Sequence, residues 1–280
     1  MAPRRNEVPP APTPTAEPPA PELPVVATSQ FAEVERPIVV EPPPEPRSVE
    51  RGVVVFDLDG TILDDIWRIS EVAADVMEKS FHTPASEAQV HYLATTGMPF
   101  EAQLAQLYPE APKELRVTAA RTFHQRKVTE AYAKAKPFPE IPKLLKRLGD
   151  ARWTLAVSTG AETEMADLLL EREGLRFWFD GVLGSREGTK REHLREYRRR
   201  FPDVPVFLVG DSRFDMEAAS STPGVVALGR ASRFSTWSLT PKDLAKWGAA
   251  WADYSLSELP DVVDRLSRAA PSVRPRRRGK

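Results

Sequence analysis

From residue 51 to about residue 265, short apolar runs alternate with stretches whose apolar residues recur at three- and four-residue spacing. The runs "GVVVF", "WTLAVS", "GVLG", "VPVFLVG" and "GVVALG" are rich in β-branched residues, and their length and composition predict strands. Helix-compatible stretches lie between most of them. That alternation predicts an α/β fold, a parallel sheet covered by helices on both faces.

One spacing breaks the alternation. About eighty residues separate "VVVFDLDGT" from "KPFPEIPKLLKRLG", far more than the short connections usual in such units, which predicts an inserted domain. The inserted stretch carries helical periodicity in "IWRISEVAADVMEKSF", "SEAQVHYLATT", "FEAQLAQLY" and "KELRVTAARTFHQRKVTEAYAKA", with no strand-like run. The expected organisation is therefore a core of residues 51–66 and 137–270 and an all-helical cap of residues 67–136. No internal repeat is apparent. Fourteen of the 28 prolines fall in residues 1–50, in pieces such as "EPPPEPR" that hold neither a ladder nor a helix. This segment is expected to be a disordered spacer, its partner unknown, and "PSVRPRRRGK" over 271–280 a short basic tail.

Composition removes several classes of function. With 39 basic and 40 acidic residues the formal net charge is -1, so no overall bias points to nucleic acid or an anionic membrane surface. The absence of cysteine excludes disulfides, thiolate zinc sites and a cysteine nucleophile. The start "MAPRRNEVPPAPTP" has no apolar region behind its basic residues, and no apolar run is long enough to span a bilayer, so the expected location is the cytoplasm.

Ligands of open parallel sheets bind beyond the carboxyl ends of the strands. Asp57 and Asp59 stand after the first run, Ser158 and Thr159 after the second, and Asp211 and Asp215 after the fourth. Lys190 follows the short third run at a helix start. Carboxylates that would repel one another suit a hard divalent cation, and lysine, hydroxyls and backbone N–H groups suit a phosphate. Together they suit phosphoryl transfer through a magnesium ion, Mg2+.

"DLDGT", Ser158, Lys190 and "GDSRFD", in this order, resemble the four motifs of the haloacid dehalogenase superfamily, in its phosphoglycolate phosphatase-like branch with a helical cap after the first strand. "ADYSLSELPDVV" looks like that family's closing strand and helix. The resemblance implies a Rossmann-like core. It implies Asp57 as the nucleophile that forms an aspartyl-phosphate and Asp59 as general acid and base. The magnesium ligands would be Asp57, the backbone carbonyl of Asp59 and Asp211, with Asp215 orienting the site. Ser158 and the amides around Thr159, Gly60 and Thr61 would hold phosphoryl oxygens, and Lys190 would balance charge. Residues at i and i+2 of an extended chain point the same way, and Gly60 allows a sharp departure, so both carboxylates can face one phosphate. In the cap, "TTGMPFEAQL" looks like a substrate-reading loop, with Thr96, Gly97, Met98 and Phe100 as its readers. An arginine stands about where Phe100 sits in β-phosphoglucomutase-like members, and its absence favours hydrolysis over mutase chemistry.

Competing readings use the same residues. Asp59-Gly60 also fits a plain turn, and Asp211-Ser212 a helix N-cap. Lys190 opens "KREHLREYRRR", whose basic residues interleave with Glu192 and Glu196 as on a solvated face, and Arg191 is its neighbouring rival. His82, His91, His124 and His193 are read as surface or core, and Trp237, Trp247 and Trp251 as packing. A mutase or nucleotidase on the same core, or a scaffold working through its proline-rich segment, are the alternatives.

Overall fold

Val53–Phe56 form strand β1, fully buried, in the interior of a six-stranded parallel sheet. The computed structural model describes residues 51–269, so the expectations for residues 1–50 and 271–280 lie outside the described residues. The other strands of this sheet are β2 (Thr154–Ser158), β3 (Gly181–Leu183), β4 (Val206–Gly210), β5 (Val225–Arg230) and β8 (Ala249–Asp253), and the spatial order is β3-β2-β1-β4-β5-β8. Chain progression reverses between β1 and β4. A crevice opens at such a switch point, beyond the carboxyl ends of the two strands.

Both sheet faces are covered, which is why the strands read as unbroken apolar runs. Val54 and Phe56 face α5 (Ile141–Asp150), α6 (Thr163–Arg172) and α10 (Leu259–Ala269), whose Leu145, Leu170 and Val263 are fully buried with them. Val53, Val55, Ala156 and Leu208 face α7 (Lys190–Arg200), α8 (Arg213–Ser220) and α9 (Pro241–Lys246) through Leu194, Met216 and Leu244. A small antiparallel ladder of β6 (Ser232–Arg233) and β7 (Ser238–Leu239), absent from the sequence expectation, follows β5. Two-residue strands carry no readable period.

Between β1 and β2 stand α1 (Ile66–Phe81), α2 (Ala85–Ala94), α3 (Phe100–Leu107) and α4 (Lys113–Arg126). The last stretch, expected to be one helix to Ala135, instead passes into a π-helical turn at Lys127–Ala131 and a 3-10 turn at Tyr132–Lys134. Tyr92, Phe100 and Phe123 form the aromatic centre of this insertion. Among the described residues no helix is long and apolar enough to cross a membrane.

The chain returns from the insertion at Phe138–Glu140, and a buried ion pair fastens it there. Arg230 Nη1 donates to Glu140 Oε1 at 2.7 Å, with side chains 6% and 16% exposed, and its guanidinium lies 3.3 Å from the Phe138 ring centroid. The Leu256 N–H donates to the same oxygen at 3.1 Å. Truncating one member of such a pair strands the other charge, so Glu140→Ala is expected to lose about 3–5 kcal/mol in urea unfolding. The double variant Glu140→Met, Arg230→Met should recover most of it, because no buried charge then remains.

Candidate active site

Strand register assembles the first half of the site. Phe56 lies opposite Val157 and Val209, so the next residues, Asp57, Ser158 and Gly210, stand at one level on neighbouring strands. By alternation they point to the face covered by α7 and α8. The Asp57 N–H donates to Val209 O at 2.8 Å, holding the aspartate at the strand's end, and Asp211 is the next residue along the neighbouring strand.

After Asp57 the chain turns on Leu58, whose carbonyl accepts from the N–H groups of Ile62 and Leu63 at 2.9 and 3.0 Å. Gly60 has φ +73°, and a Cβ there would lie 2.3 Å from Asp211 Oδ2, so glycine serves both the turn and the approach of the second carboxylate. Its N–H donates to Leu63 O at 2.9 Å and Asp65 Oδ1 at 3.1 Å. Closing the turn occupies this amide, so among the amides expected around Gly60 to hold a phosphoryl oxygen its own is engaged within the chain. Thr61 is fully buried with an unpartnered hydroxyl.

Lys190, at the start of α7, reaches Asp57 Oδ1 with its Nζ at 2.8 Å and also pairs with Asp215 Oδ1. The rival Arg191 is exposed. Thr189 and Glu192 close the capping box of α7, which fixes the lysine's backbone, while Arg191, Arg195, Arg199 and Arg200 of the same helix face solvent. Ser212, not Asp211, caps α8. Its N–H and hydroxyl donate to Asp215 Oδ2 at 3.0 and 2.6 Å, leaving Asp215 Oδ1 for the lysine. Gly210 makes room, since a Cβ there would fall 2.3 Å from Asp215 Cγ.

One oxygen each of Asp57, Asp211 and Asp215 lies within 4.8 Å of the others, and Asp211 Oδ1 is buried without a partner. Burial pushes the Asp57 carboxyl up to about 7, the Lys190 charge opposing and the Asp215 and Asp59 charges adding to the rise. Asp211 is pushed well above the carboxylate range by burial and by Asp57 and Asp215. Burial works against the Lys190 charge, yet the two carboxylates outweigh it and raise its pKa. One ammonium among three buried carboxylates leaves negative charge uncompensated, and the donor set is all oxygen, which fits a hard divalent cation.

Ser158 is fully buried, its Oγ 2.8 Å from His193 Nδ1. His193 is buried too, with Nε2 unpartnered, and burial holds its pKa below the ordinary histidine value. The Thr159 N–H donates to Leu183 O at 3.0 Å and its hydroxyl accepts from the Ala161 N–H at 3.1 Å. That amide extends the β2–β3 ladder and is engaged within the chain.

Asp59 turns toward the insertion. Its Oδ2 accepts from Lys127 Nζ at 2.6 Å and from Tyr132 Oη at 2.9 Å, while Oδ1 is buried with no partner but the neighbouring Asp65 carboxyl. Asp65, fully buried at the N-cap position of α1, is pushed well up by burial and by the Asp59 charge beside it. Of the four expected substrate readers, Gly97 lies against the loop after β4: it has φ +94°, and a Cβ would meet Ser212 Oγ at 2.6 Å. Thr96 lines a narrow crevice together with Leu93, Asp211, Ser212, Trp237 and Trp247. Met98 is half-buried, its carbonyl accepting from Gln103 Nε2 at 2.9 Å. Phe100 is corrected. The residue is 3% exposed and its ring centroid lies 4.1 Å from that of Phe123, the planes tilted by 34°, so it fills the insertion's core instead of facing a ligand.

Four site residues escaped the sequence reading: Asp65, Lys127, Tyr132 and His193. A signal existed for two. Asp65 ends the run "DLDGTILDD", and His193 lies three residues after Lys190, on the same helix face.

Residues 54–226 match the haloacid dehalogenase-like hydrolase family. A phosphoglycolate phosphatase of Vibrio vulnificus is 27% identical over 61% of this chain and 80% of its own. The Dickeya dadantii protein IndB, named a probable phosphatase, is 30% identical over 70% of this chain and 86% of its own. Among solved structures, a haloacid dehalogenase-like family hydrolase from Streptococcus pneumoniae superposes with a TM-score of 0.59 at 22% identity, covering 77% of this chain and 98% of its own, a likeness of fold. The chain belongs to the haloacid dehalogenase-like hydrolase family.

His193 binds a proton more weakly folded than unfolded. Its contribution to stability is therefore complete above the unfolded imidazole's pKa of about 6.5 and is lost as the pH falls below it. His193→Asn keeps a donor near Ser158 and removes the titration, so its unfolding midpoint should fall less than the parent's between pH 7.5 and 5.5. Parallel pH profiles would show that His193 charges freely in the folded chain.

Proposed function

We propose that this phosphatase, a phosphoric monoester hydrolase, depends on magnesium and passes the phosphoryl group of a small phosphorylated metabolite through Asp57 before releasing it to water. One observation carries the reading. Lys190 ties Asp57 to Asp215 beside an Asp211 oxygen that is buried and unpartnered, an arrangement short of positive charge in the position of a metal ligand.

Asp57, Asp211 and the Asp59 backbone carbonyl would hold magnesium, and Asp215, fastened by Ser212 and Lys190, would orient the site. When bound, the ion supplies positive charge against the phosphoryl oxygens and against the carboxylates that crowd the site. Lys190 holds the Asp57 carboxylate in place for attack on phosphorus. Ser158 donates its hydroxyl proton to a phosphoryl oxygen when His193 carries its proton on Nδ1 and donates to Oγ. Asp59 gives a proton to the departing ester oxygen, then takes one from the water that opens the aspartyl-phosphate. Thr96 borders the crevice next to Asp211 and, with Gly97 and Met98, would contact the organic part of the substrate, to be identified with a panel of phosphorylated metabolites.

The test separates the two aspartates. Asp57→Asn should abolish turnover of every ester, because an amide is a poor nucleophile. Asp59→Asn should still release a burst of nitrophenol from a nitrophenyl phosphate, whose leaving group needs no acid, followed by very slow turnover. Alkyl phosphates should give no burst. Stopped-flow absorbance with intact-protein mass spectrometry reads both outcomes. Phosphorylated Asp57→Asn protein, or full turnover of alkyl esters by Asp59→Asn, would overturn the roles. Chelation should abolish activity and added magnesium restore it.

A further inference from the structure

The π-helical turn places two polar side chains where an α-helix could not. Residues five apart on an α-helix lie about 140° apart around the axis. Here the Tyr132 N–H donates to Lys127 O, the five-residue bond of a π turn, and both side chains reach Asp59 Oδ2. Lys127 Nζ also lies 4.6 Å from the Tyr132 ring centroid. Arg172 of α6 fixes the end of the segment by donating to the carbonyls of Tyr132 and Ala135 at 2.7 and 2.6 Å. The neighbouring Arg126 is engaged elsewhere, with Asp75 of α1 and Glu130, so Lys127 turns inward while Arg126 braces the insertion.

We propose that Lys127 and Tyr132 are positioning residues for Asp59: the insertion holds the carboxylate that handles protons, while the core holds the one that attacks. This rests on the role given to Asp59 above. The Lys127 and Asp59 side chains are only 15% and 17% exposed, and a largely buried pair of this kind adds little net stability, so its effect falls on where the carboxylate stands. A general acid must sit within about 2.6–3.2 Å of the leaving oxygen. Pinning Oδ2 from the insertion fixes the plane of the Asp59 carboxylate and with it the direction of Oδ1, which is buried with no partner but the neighbouring Asp65 carboxyl. A misplacement of about 1 Å can cost about a hundredfold in rate.

Lys127→Ala should lower kcat for alkyl phosphates by about ten- to a hundredfold while leaving KM within about twofold. The nitrophenol burst of the same variant should keep the parent's rate, because that step needs no acid. Lys127→Arg should recover part of the loss, and Tyr132→Phe should lose less than Lys127→Ala. Lys127→Gln keeps the stem and serves if the alanine variant does not fold. Three outcomes would overturn the proposal: a raised KM at unchanged kcat, which would make Lys127 a substrate contact; equal loss of burst and alkyl turnover; or activity losses that track the thermal unfolding midpoint across the variants. Failure of Asp59→Asn to distinguish the two ester classes would instead remove the premise, so the two failures are distinguishable.

Discussion

The structure depends on keeping carboxylates together out of water. Asp57, Asp211 and Asp215 are all nearly buried, with oxygens within 4.8 Å of one another, and the surrounding fold can be read as the means of holding them there. Mutual repulsion and desolvation both oppose the arrangement. It persists because each carboxylate is placed by backbone that cannot easily move: Asp57 by a ladder bond to β4, Asp211 at the end of that buried strand, and Asp215 by the capping box of α8. Gly60 and Gly210 then permit an approach that a Cβ would block at both points. The same crowding that makes the carboxylates costly as anions makes them a fitting shell for a hard cation.

Much of this was legible in the chain because it depends on local pattern. The unbroken apolar strands, the bounds of α1 at Ile66–Phe81 and the start of α7 at Lys190 follow from period, length and β-branching. Asp57, Lys190, Asp211 and Asp215 could be placed together because each sits at a strand end or helix start, where topology supplies proximity. What the pattern could not carry was direction. Lys190 and Arg191 are equivalent as letters at a helix start, and only packing of α7 on the sheet turns one inward. Phe100 resembled a substrate reader from its place in a loop motif, yet an aromatic at the first position of α3 is drawn into the insertion's core by Tyr92 and Phe123. The Gly60 and Thr159 amides read as free donors because hydrogen bonds across a turn or to a neighbouring strand leave no mark on composition.

The residues that the sequence hid most completely are those brought from the insertion to the core. Lys127 and Tyr132 are 68 and 73 residues from Asp59, and their five-residue spacing argues against a shared helical face until the π turn is known. Their placement gives the two motif aspartates separate guardians. Asp57 is gripped by Lys190, from a helix of the core, and Asp59 by Lys127, from the far end of the insertion. The two carboxylates are two residues apart in one turn, so chemistry that needs them in different roles must distinguish them by environment. Asp57 lies beside the charges of Lys190, Asp215 and Asp211, whereas Asp59 lies beside Lys127, the Tyr132 hydroxyl and the buried Asp65. An identical pair of side chains thus becomes chemically unequal because the chain leaves the sheet after the first, turns through Gly60, and meets the second with residues that only the inserted helices could supply.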